Sequence, residues 1–399
     1  MFKPFLKKIL FFTVILGIVF ASCNSDNILN ETSIDGLAGT AKIQQQWGTL
    51  VENIPNNIGN TFTGDPETTR TITWQSTHTT GEVIIDEIHY PSTTTLHDNY
   101  YFHRVDITGL EAGKTYRYIV GSAGFYSPVY NITTQSTNLV EGFSILHITD
   151  PQIGAGNFTN DAAIWKRTIE SAIKKVPHAA FVVNTGDVAE NSRVASLHYY
   201  FDYAQQIKSN YAFMYSLGNN DLEDWYNRYF YIPDNSHSGY LYSFDYGNVH
   251  FVNINSNRTL TEDQLTWLEN DLQTTEKKWK VAMMHEANYG RTGRRSAVTD
   301  LFDQYNVDLV LAGHNHFYAR SKPLNTLGSE KENGTIWTIP NAAGSKFNNR
   351  SSASFLAKNE QPGLPMFTEF KFTETNISLN AYTVDADGST SLFDSYALR

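Results

Sequence analysis

Hydrophobic and polar positions fall into two textures along this chain. From about residue 42 to 138, short alternating runs rich in Thr, Tyr, Ile and Val, at 71–74, 101–107 and 115–120, read as half-buried strands. Gly109, Gly113 and the stretch 121–124 punctuate them, and no helical period of useful length occurs. This segment is expected to form an all-β sandwich. After a polar linker near 135–142, apolar runs at 143–149, 180–184, 211–217, 249–254, 281–284 and 308–312 alternate with helical patterns. Trp165, Ile169, Ala172, Ile173 and Val176 keep helical spacing, as do Leu197, Phe201, Ala204 and Ile207. Thr261 and Gln264 make a capping box ahead of Leu265 and Leu268. The alternation predicts an α/β domain over 139–399, with a mainly parallel or mixed sheet covered by helices.

The first residues have a different texture. Lys3, Lys7 and Lys8 lead into thirteen residues, 9–21, that no polar face interrupts. That is too short to span a bilayer and suits the apolar region of a secretory signal. Phe20-Ala21-Ser22-Cys23 resembles a bacterial lipoprotein cleavage box, which implies removal of residues 1–22 and lipidation of Cys23. Residues 23–41, rich in Asn, Ser, Thr and Asp, read as a flexible tether. The expectation is an exported protein, held to the outer membrane or cell surface only through that lipid; the alternative is a periplasmic or secreted one. A formal charge of −11 removes any general attraction for nucleic acid. A single cysteine excludes a disulfide framework, a zinc finger and an iron–sulfur cluster.

Chemistry gathers where the apolar runs of the second segment end. Asp150 follows the first run and Gly186-Asp187 the second. Gly218-Asn219 follows the third, His285 the fifth, and Gly313-His314-Asn315-His316 the sixth. Singly each has a local explanation: a helix cap, a turn, a satisfied imidazole. Five such groups at the carboxyl ends of core strands are better explained as one site, because that edge is where open α/β sheets build their sites. Two carboxylates, an amide oxygen and three imidazoles suit Zn, Mn, Fe or Co rather than calcium or a thiolate metal.

In that order, D-x-[H/Q], GD, GN, H and GHxH, the residues resemble the calcineurin-like metallophosphoesterase superfamily. Gly313-His314-Asn315-His316-Phe317-Tyr318-Ala319-Arg320 is similar to the corresponding stretch of purple acid phosphatases. The segment 108–118 is similar to a fibronectin type III signature, and the ending Asp394-Ser395-Tyr396-Ala397-Leu398 fits the same branch. The resemblance implies a sandwich of two mixed β-sheets flanked by helices, behind a fibronectin III-like domain over 42–138. It also implies two metal ions, Fe, Zn or Mn. Asp150, Asp187 and His316 would hold the first, and Asp187, Asn219, His285 and His314 the second. The implied activity is hydrolysis of phosphate monoesters by in-line attack of a hydroxide, on a phosphorylated small molecule, glycan or lipid.

Several positions depart from that pattern. Glu190 stands where the family's colour-giving tyrosine would be, so no purple colour is expected. Glu190 is either a hard carboxylate ligand of the first metal or an ordinary helix-start residue. Gln152 replaces a histidine common in the superfamily and is expected beside the metal rather than on it. Asn220 replaces the histidine that assists the leaving group. An asparagine cannot act as a general acid, although it can hydrogen-bond a phosphoryl oxygen. Asp221 could supply the proton if burial raised its pKa, or it could cap a helix. Tyr289, Arg291, Arg294 and Arg295 are candidate substrate contacts in a Gly-punctuated loop. Arg320 is expected in a structural salt bridge. A phosphodiesterase with the same centre is the nearest alternative, and a non-catalytic phosphate- or glycan-binding surface protein the next.

Overall fold

The structure is a computed structural model that describes residues 34–37, 53–122, 124–238, 240–287, 296–350 and 352–398. In the first domain, a four-stranded sheet runs in the order Asn56–Thr61, Arg70–Ser76, Tyr100–Ile107, Thr93–His97. A second sheet is built on Thr115–Ser122, which pairs with Glu82–Ile85, Phe125–Tyr126 and Tyr130–Thr133. Alternation sorts the side chains: Tyr116, Tyr118, Tyr130 and Ile132 turn inward to meet Trp74, Val83 and Val105, while Arg117 and Asn131 stay exposed. The expected tether is anchored in one place. Ile34–Leu37 forms a helical turn whose Ile34 is buried against Ile84, Ile119 and Tyr126, because an apolar side chain there has a sheet face to cover.

The second domain is a sandwich of two mixed sheets. One runs Phe213–Tyr215, Ala179–Asn184, Phe143–Ile148, Met366–Phe372, Ile377–Val384, Thr390–Ala397; its first three strands are parallel and the rest antiparallel. The other runs Tyr242–Tyr246, Val249–Ile254, Trp279–Met284, Leu309–Leu311, Ile336–Ile339, Tyr318–Ser321, Leu356–Glu360. The inner faces interlock through aromatic pairs, such as Phe181 edge-on to Phe251 with centroids 5.4 Å apart. Helices Phe158–Lys175 and Val194–Asn210 cover the first sheet, and Glu262–Thr274 and Ala297–Gln304 the second. The Thr261–Gln264 capping box is formed as expected. Arg320 meets Asp394 at 2.8 Å and lies over the Tyr396 ring, so the C-terminal strand is pinned across the sandwich.

Two polar features sit inside this packing. Lys208 is fully buried among the rings of Tyr200, Phe201 and Phe213 and donates to the Tyr215 hydroxyl. Burial lowers its pKa well below the ordinary value. His250 lies between Asp245 and Asp271, each at 2.8 Å. Burial opposes its charge, yet the hydrogen bonds and charges of the two carboxylates raise its pKa to about 9. The domains are joined through helix Val194–Asn210: Gln205 bonds both backbone groups of Ile58, and Tyr118 donates to the Ser209 carbonyl. Among the described residues, no helix is long and apolar enough to cross a membrane.

Candidate metal centre

The loops that follow the parallel strands of both sheets meet at one edge and hold one another by backbone bonds. Asp150 N donates to Gly186 O at 3.0 Å, Gln152 N to Asp187 O at 2.9 Å, and Gly313 N to His285 O at 2.8 Å. Two glycines make the approach possible. A Cβ at Gly218 would stand 2.0 Å from Asp187 N, and one at Gly313 would stand 1.9 Å from Thr149 Oγ1. Asp150, Gln152, Asp187, His314 and His316 all have φ between 44° and 71°, the left-handed region that side chains other than glycine's enter at a cost. Strain of this kind persists where surrounding structure over-determines it, and five of the seventeen such non-glycine positions among the described residues lie in this site.

Asp150, Asp187 and His316 bring one oxygen or nitrogen each to within 4.8 Å of one another, all buried. His316 donates Nδ1–H to the Lys346 carbonyl at 2.7 Å, which leaves Nε2 facing Asp150 Oδ1 at 3.1 Å. His285 is arranged alike, with Nδ1–H on the Thr185 carbonyl at 2.7 Å. Its Nε2 lies 3.4 Å from Asp187 Oδ2 and 3.2 Å from Asn219 Oδ1. His314 completes a second group, with Nδ1 2.8 Å from Asn219 Oδ1. A histidine tied through one nitrogen to a carbonyl presents its other lone pair in a set direction, as metal-binding imidazoles do. Metal bonds of about 2.0–2.2 Å place neighbouring ligand atoms roughly 3–3.5 Å apart, which these separations match.

Charges in the site are mutually stabilised. Burial opposes ionisation of Asp150, but His316 and His285 hold its pKa well below the usual carboxylate range. Burial also opposes charging of His285, and Asp187 outweighs it, raising the pKa to about 10. Burial and the His285 charge lower that of His314. Asp150 Oδ1 and Gln152 Oε1 are buried without a hydrogen-bond partner. Orphaned buried acceptors beside imidazole nitrogens from which a metal can displace a proton are what a cation site leaves on a protein, so the residues present fit metal ions.

The remaining positions separate into distinct roles. Gln152 donates Nε2–H to Asp187 Oδ2 at 3.2 Å, so its amide lies beside the bridging carboxylate. Asn220 donates its backbone N–H to Asp187 Oδ1 at 2.8 Å and its amide to Oδ2 at 2.7 Å, gripping that carboxylate from both ends. Glu190 pairs with Lys346 Nζ at 3.0 Å and is not among the clustered ligand atoms, which weighs against ligation. Through Lys346 it braces the carbonyl that orients His316.

Asp221 does not face the site. Its Oδ2 accepts from Asp187 N at 2.8 Å, Gly218 N at 3.0 Å and Tyr226 OH at 2.9 Å. Its Oδ1 accepts from Val188 N at 3.0 Å and Ala189 N at 3.3 Å. Burial and the Asp187 charge raise its pKa to about 7; four of the five partners are backbone N–H donors, and the fifth, the Tyr226 hydroxyl, also reaches the Ser216 carbonyl at 2.8 Å, so the geometry ties the carboxylate to the loop backbone. The raised pKa is the condition on which an acid role is expected of Asp221, and its bonds fix the loop that carries Asp187. No sequence signal marks this role, nor those of the Thr185 and Lys346 carbonyls. Tyr289, Arg291, Arg294, Arg295 and Cys23 lie outside the described residues.

Comparison with known proteins agrees with this architecture. Residues 143–318 match the calcineurin-like phosphoesterase family, and residues 55–134 match the purple acid phosphatase N-terminal domain. The chain is 30% identical over 194 residues to purple acid phosphatase 21 of Arabidopsis thaliana, covering 42% of this chain and 43% of that protein. It is 26% identical over 259 residues to acid phosphatase type 7 of Mus musculus, covering 56% and 58%. It therefore spans about half the length of these relatives. A purple acid phosphatase from yellow lupin (Lupinus luteus) seeds shares the fold, with a TM-score of 0.71 at 17% identity over 86% of this chain and 74% of that one.

Proposed function

With a calcineurin-like phosphoesterase domain carried behind a purple acid phosphatase N-terminal domain, we propose that this chain is a metal-dependent phosphomonoesterase. Asp150, Asp187 and His316 would hold one ion, and Asp187, Asn219, His285 and His314 the other. The observation that carries the reading is the Asp187 carboxylate, which stands in both donor groups at once. Iron, zinc or manganese ions would supply positive charge to the phosphoryl oxygens and lower the pKa of an attacking water.

The chain's own residues then set the selectivity. Asn220 fixes the orientation of the shared carboxylate but has no proton to give, and Asp221 is enclosed by donors. Esters whose leaving groups need no proton, such as aryl phosphates and anhydrides, are therefore favoured over alkyl phosphates. A diesterase reading rests on the same supports, since diesters of acidic alcohols also leave unaided. Export and anchoring through a lipid on Cys23 are part of the proposal, and Cys23→Ser is expected to release the protein from membranes.

The test is turnover of mono- and bis-p-nitrophenyl phosphate by the full chain loaded with Mn, Zn or Fe, beside Asp187→Asn. Metal-dependent turnover that is faster on the monoester and absent from the folded variant supports the reading. Faster turnover of the diester moves it to the diesterase. Two bound metals with no turnover on either ester overturn it in favour of a binding protein.

A further inference from the structure

Shortly after the loop that carries Asn219, Asn220 and Asp221, residues Tyr226–Phe230 form one π-helical turn, closed by Tyr231 N–H on the Tyr226 carbonyl at 2.7 Å. Such a turn holds one residue more than an α-helical turn; it is rare, and it recurs at functional sites.

The N-terminal domain holds one end of this turn through a single face of its first sheet. Gly59 is paired with Thr73, Thr61 with Thr71, and Thr73 with Arg104, so Gly59, Thr61, Thr73 and Arg104 share that face, with Phe102 beside them. Thr73 Oγ1 donates to the Tyr229 carbonyl at 3.1 Å and Thr61 Oγ1 to the Tyr231 carbonyl at 2.9 Å. These carbonyls end the turn, where the helix itself supplies no donor. A Cβ at Gly59 would stand 2.8 Å from Thr73 Oγ1 and 3.2 Å from the Tyr229 carbonyl oxygen, so glycine lets the sheet come this close. Phe102 meets the Tyr229 ring edge-on with centroids 5.0 Å apart, and the Arg104 guanidinium lies 3.6 Å from the centre of the Tyr231 ring.

The other end of the turn reaches the metal centre. Tyr226 is fully buried, and its hydroxyl lies 2.8 Å from the Ser216 carbonyl and 2.9 Å from Asp221 Oδ2. The same Asp221 oxygen accepts from Asp187 N and Gly218 N, and Asn219 follows Gly218. One hydroxyl therefore stands between the turn and both of these loops. Reversion of the turn to α-helical bonding would drop one residue from it and rotate one end against the other by about 100°. Tyr226 and Tyr229 could not then both keep their partners.

We propose that Tyr226 is a positioning residue for the metal centre and that the N-terminal domain sets its position. Thr61 and Thr73 hold the π-helical turn, the turn holds Tyr226 on Asp221, and Asp221 holds the loops of Asp187 and Asn219. This role rests on the metal-binding part proposed above for those loops. Through it the N-terminal domain, whose residues join neither donor group, contributes to the centre.

Hydrogen exchange of the metal-free full chain and a metal-competition titration test this. Tyr226→Phe is expected to speed exchange across 186–189 and 217–221 roughly tenfold relative to the core strand Trp279–Met284, and to weaken metal binding by a like factor. Thr61→Val with Thr73→Val is expected to do the same by about threefold or more, although neither hydroxyl touches those loops. Thr61→Ser with Thr73→Ser, which keeps both hydroxyls, should restore wild-type exchange and affinity. If the double valine variant does not fold, Thr73→Val alone carries the comparison. Exchange across 186–189 that stays level with the core strand in Tyr226→Phe overturns the proposal. The same result in the valine variant removes the N-terminal domain from it, and metal bound equally by every variant removes the positioning role. Faster exchange in both variants, with no metal bound by the wild type, supports the coupling and overturns the metal-binding reading instead.

Discussion

Replacing Asp221 with asparagine separates a loop-fixing role from an acid role. The carboxylate accepts from three donors through one oxygen and two through the other. The asparagine side chain can keep its oxygen on the three-donor side, and its NH2 then faces the N–H groups of Val188 and Ala189. Two buried donors lose their acceptor at about 1–3 kcal/mol each, or about 3–4 kcal/mol together in the middle of that range. In the metal-free chain part of this is offset. A neutral amide in place of the carboxylate no longer repels Asp187, and that repulsion is one cause of the raised Asp221 pKa. With cations on Asp187 the offset disappears. The variant is therefore expected to be destabilised more when loaded than when metal-free, which by linkage is a roughly 10–100-fold weaker metal affinity. Urea unfolding in both states, a metal-competition titration and turnover of aryl against alkyl phosphates measure every part of this. Unchanged stability and metal affinity, with loss confined to alkyl esters, would refute the loop-fixing role and restore Asp221 as the acid.

Asn220→His is expected to raise turnover on alkyl phosphates relative to aryl ones; an unchanged ratio would remove leaving-group protonation as the limit on this chain. Lys208→Met is expected to stabilise the fold by on the order of 1–3 kcal/mol near neutral pH, since it fills an aromatic cage without a buried amine. Because the folded-state Lys208 pKa lies well below 10.5, the unfolded chain binds more protons, and wild-type stability should rise with pH up to that value where the variant's does not. His250 has the opposite sign. Its contribution, on the order of 2 kcal/mol after allowing for the half-exposed Asp245, is present below pH 6.5 and lost as pH rises through about 9, and His250→Gln should flatten that part of the unfolding profile.

The parts of this molecule that can be read from the sequence are those written in local patterns. The core strands announce themselves as apolar runs, with boundaries off by a residue or two: 211–217 shortens to Phe213–Tyr215 because only the central residues find a ladder partner. The polar groups at their ends are legible because each follows its strand directly. What escapes is carried by long-range contact. Three antiparallel strands, Met366–Phe372, Ile377–Val384 and Thr390–Ala397, complete the first sheet from the far end of the chain. Asp221 reads as a helix cap because the donors it serves at 187–189 lie more than thirty positions away. Glu190 is ambiguous until Lys346 is placed against it. Ile34 reads as linker because the composition around it is polar, while one apolar side chain suffices to dock a turn.

The left-handed backbone at Asp150, Gln152, Asp187, His314 and His316 has a consequence for how the site is held together. Glycine is at ease in that region, so each of the five positions holds about 1 kcal/mol or more of backbone strain that only the side chain's own bonds offset. At Asp150, Asp187 and His316 those bonds run to other loops of the site: to His314 N, to Asn220 and to the Lys346 carbonyl. The same contacts that gather the donor atoms therefore hold the backbone in a shape it would not keep alone.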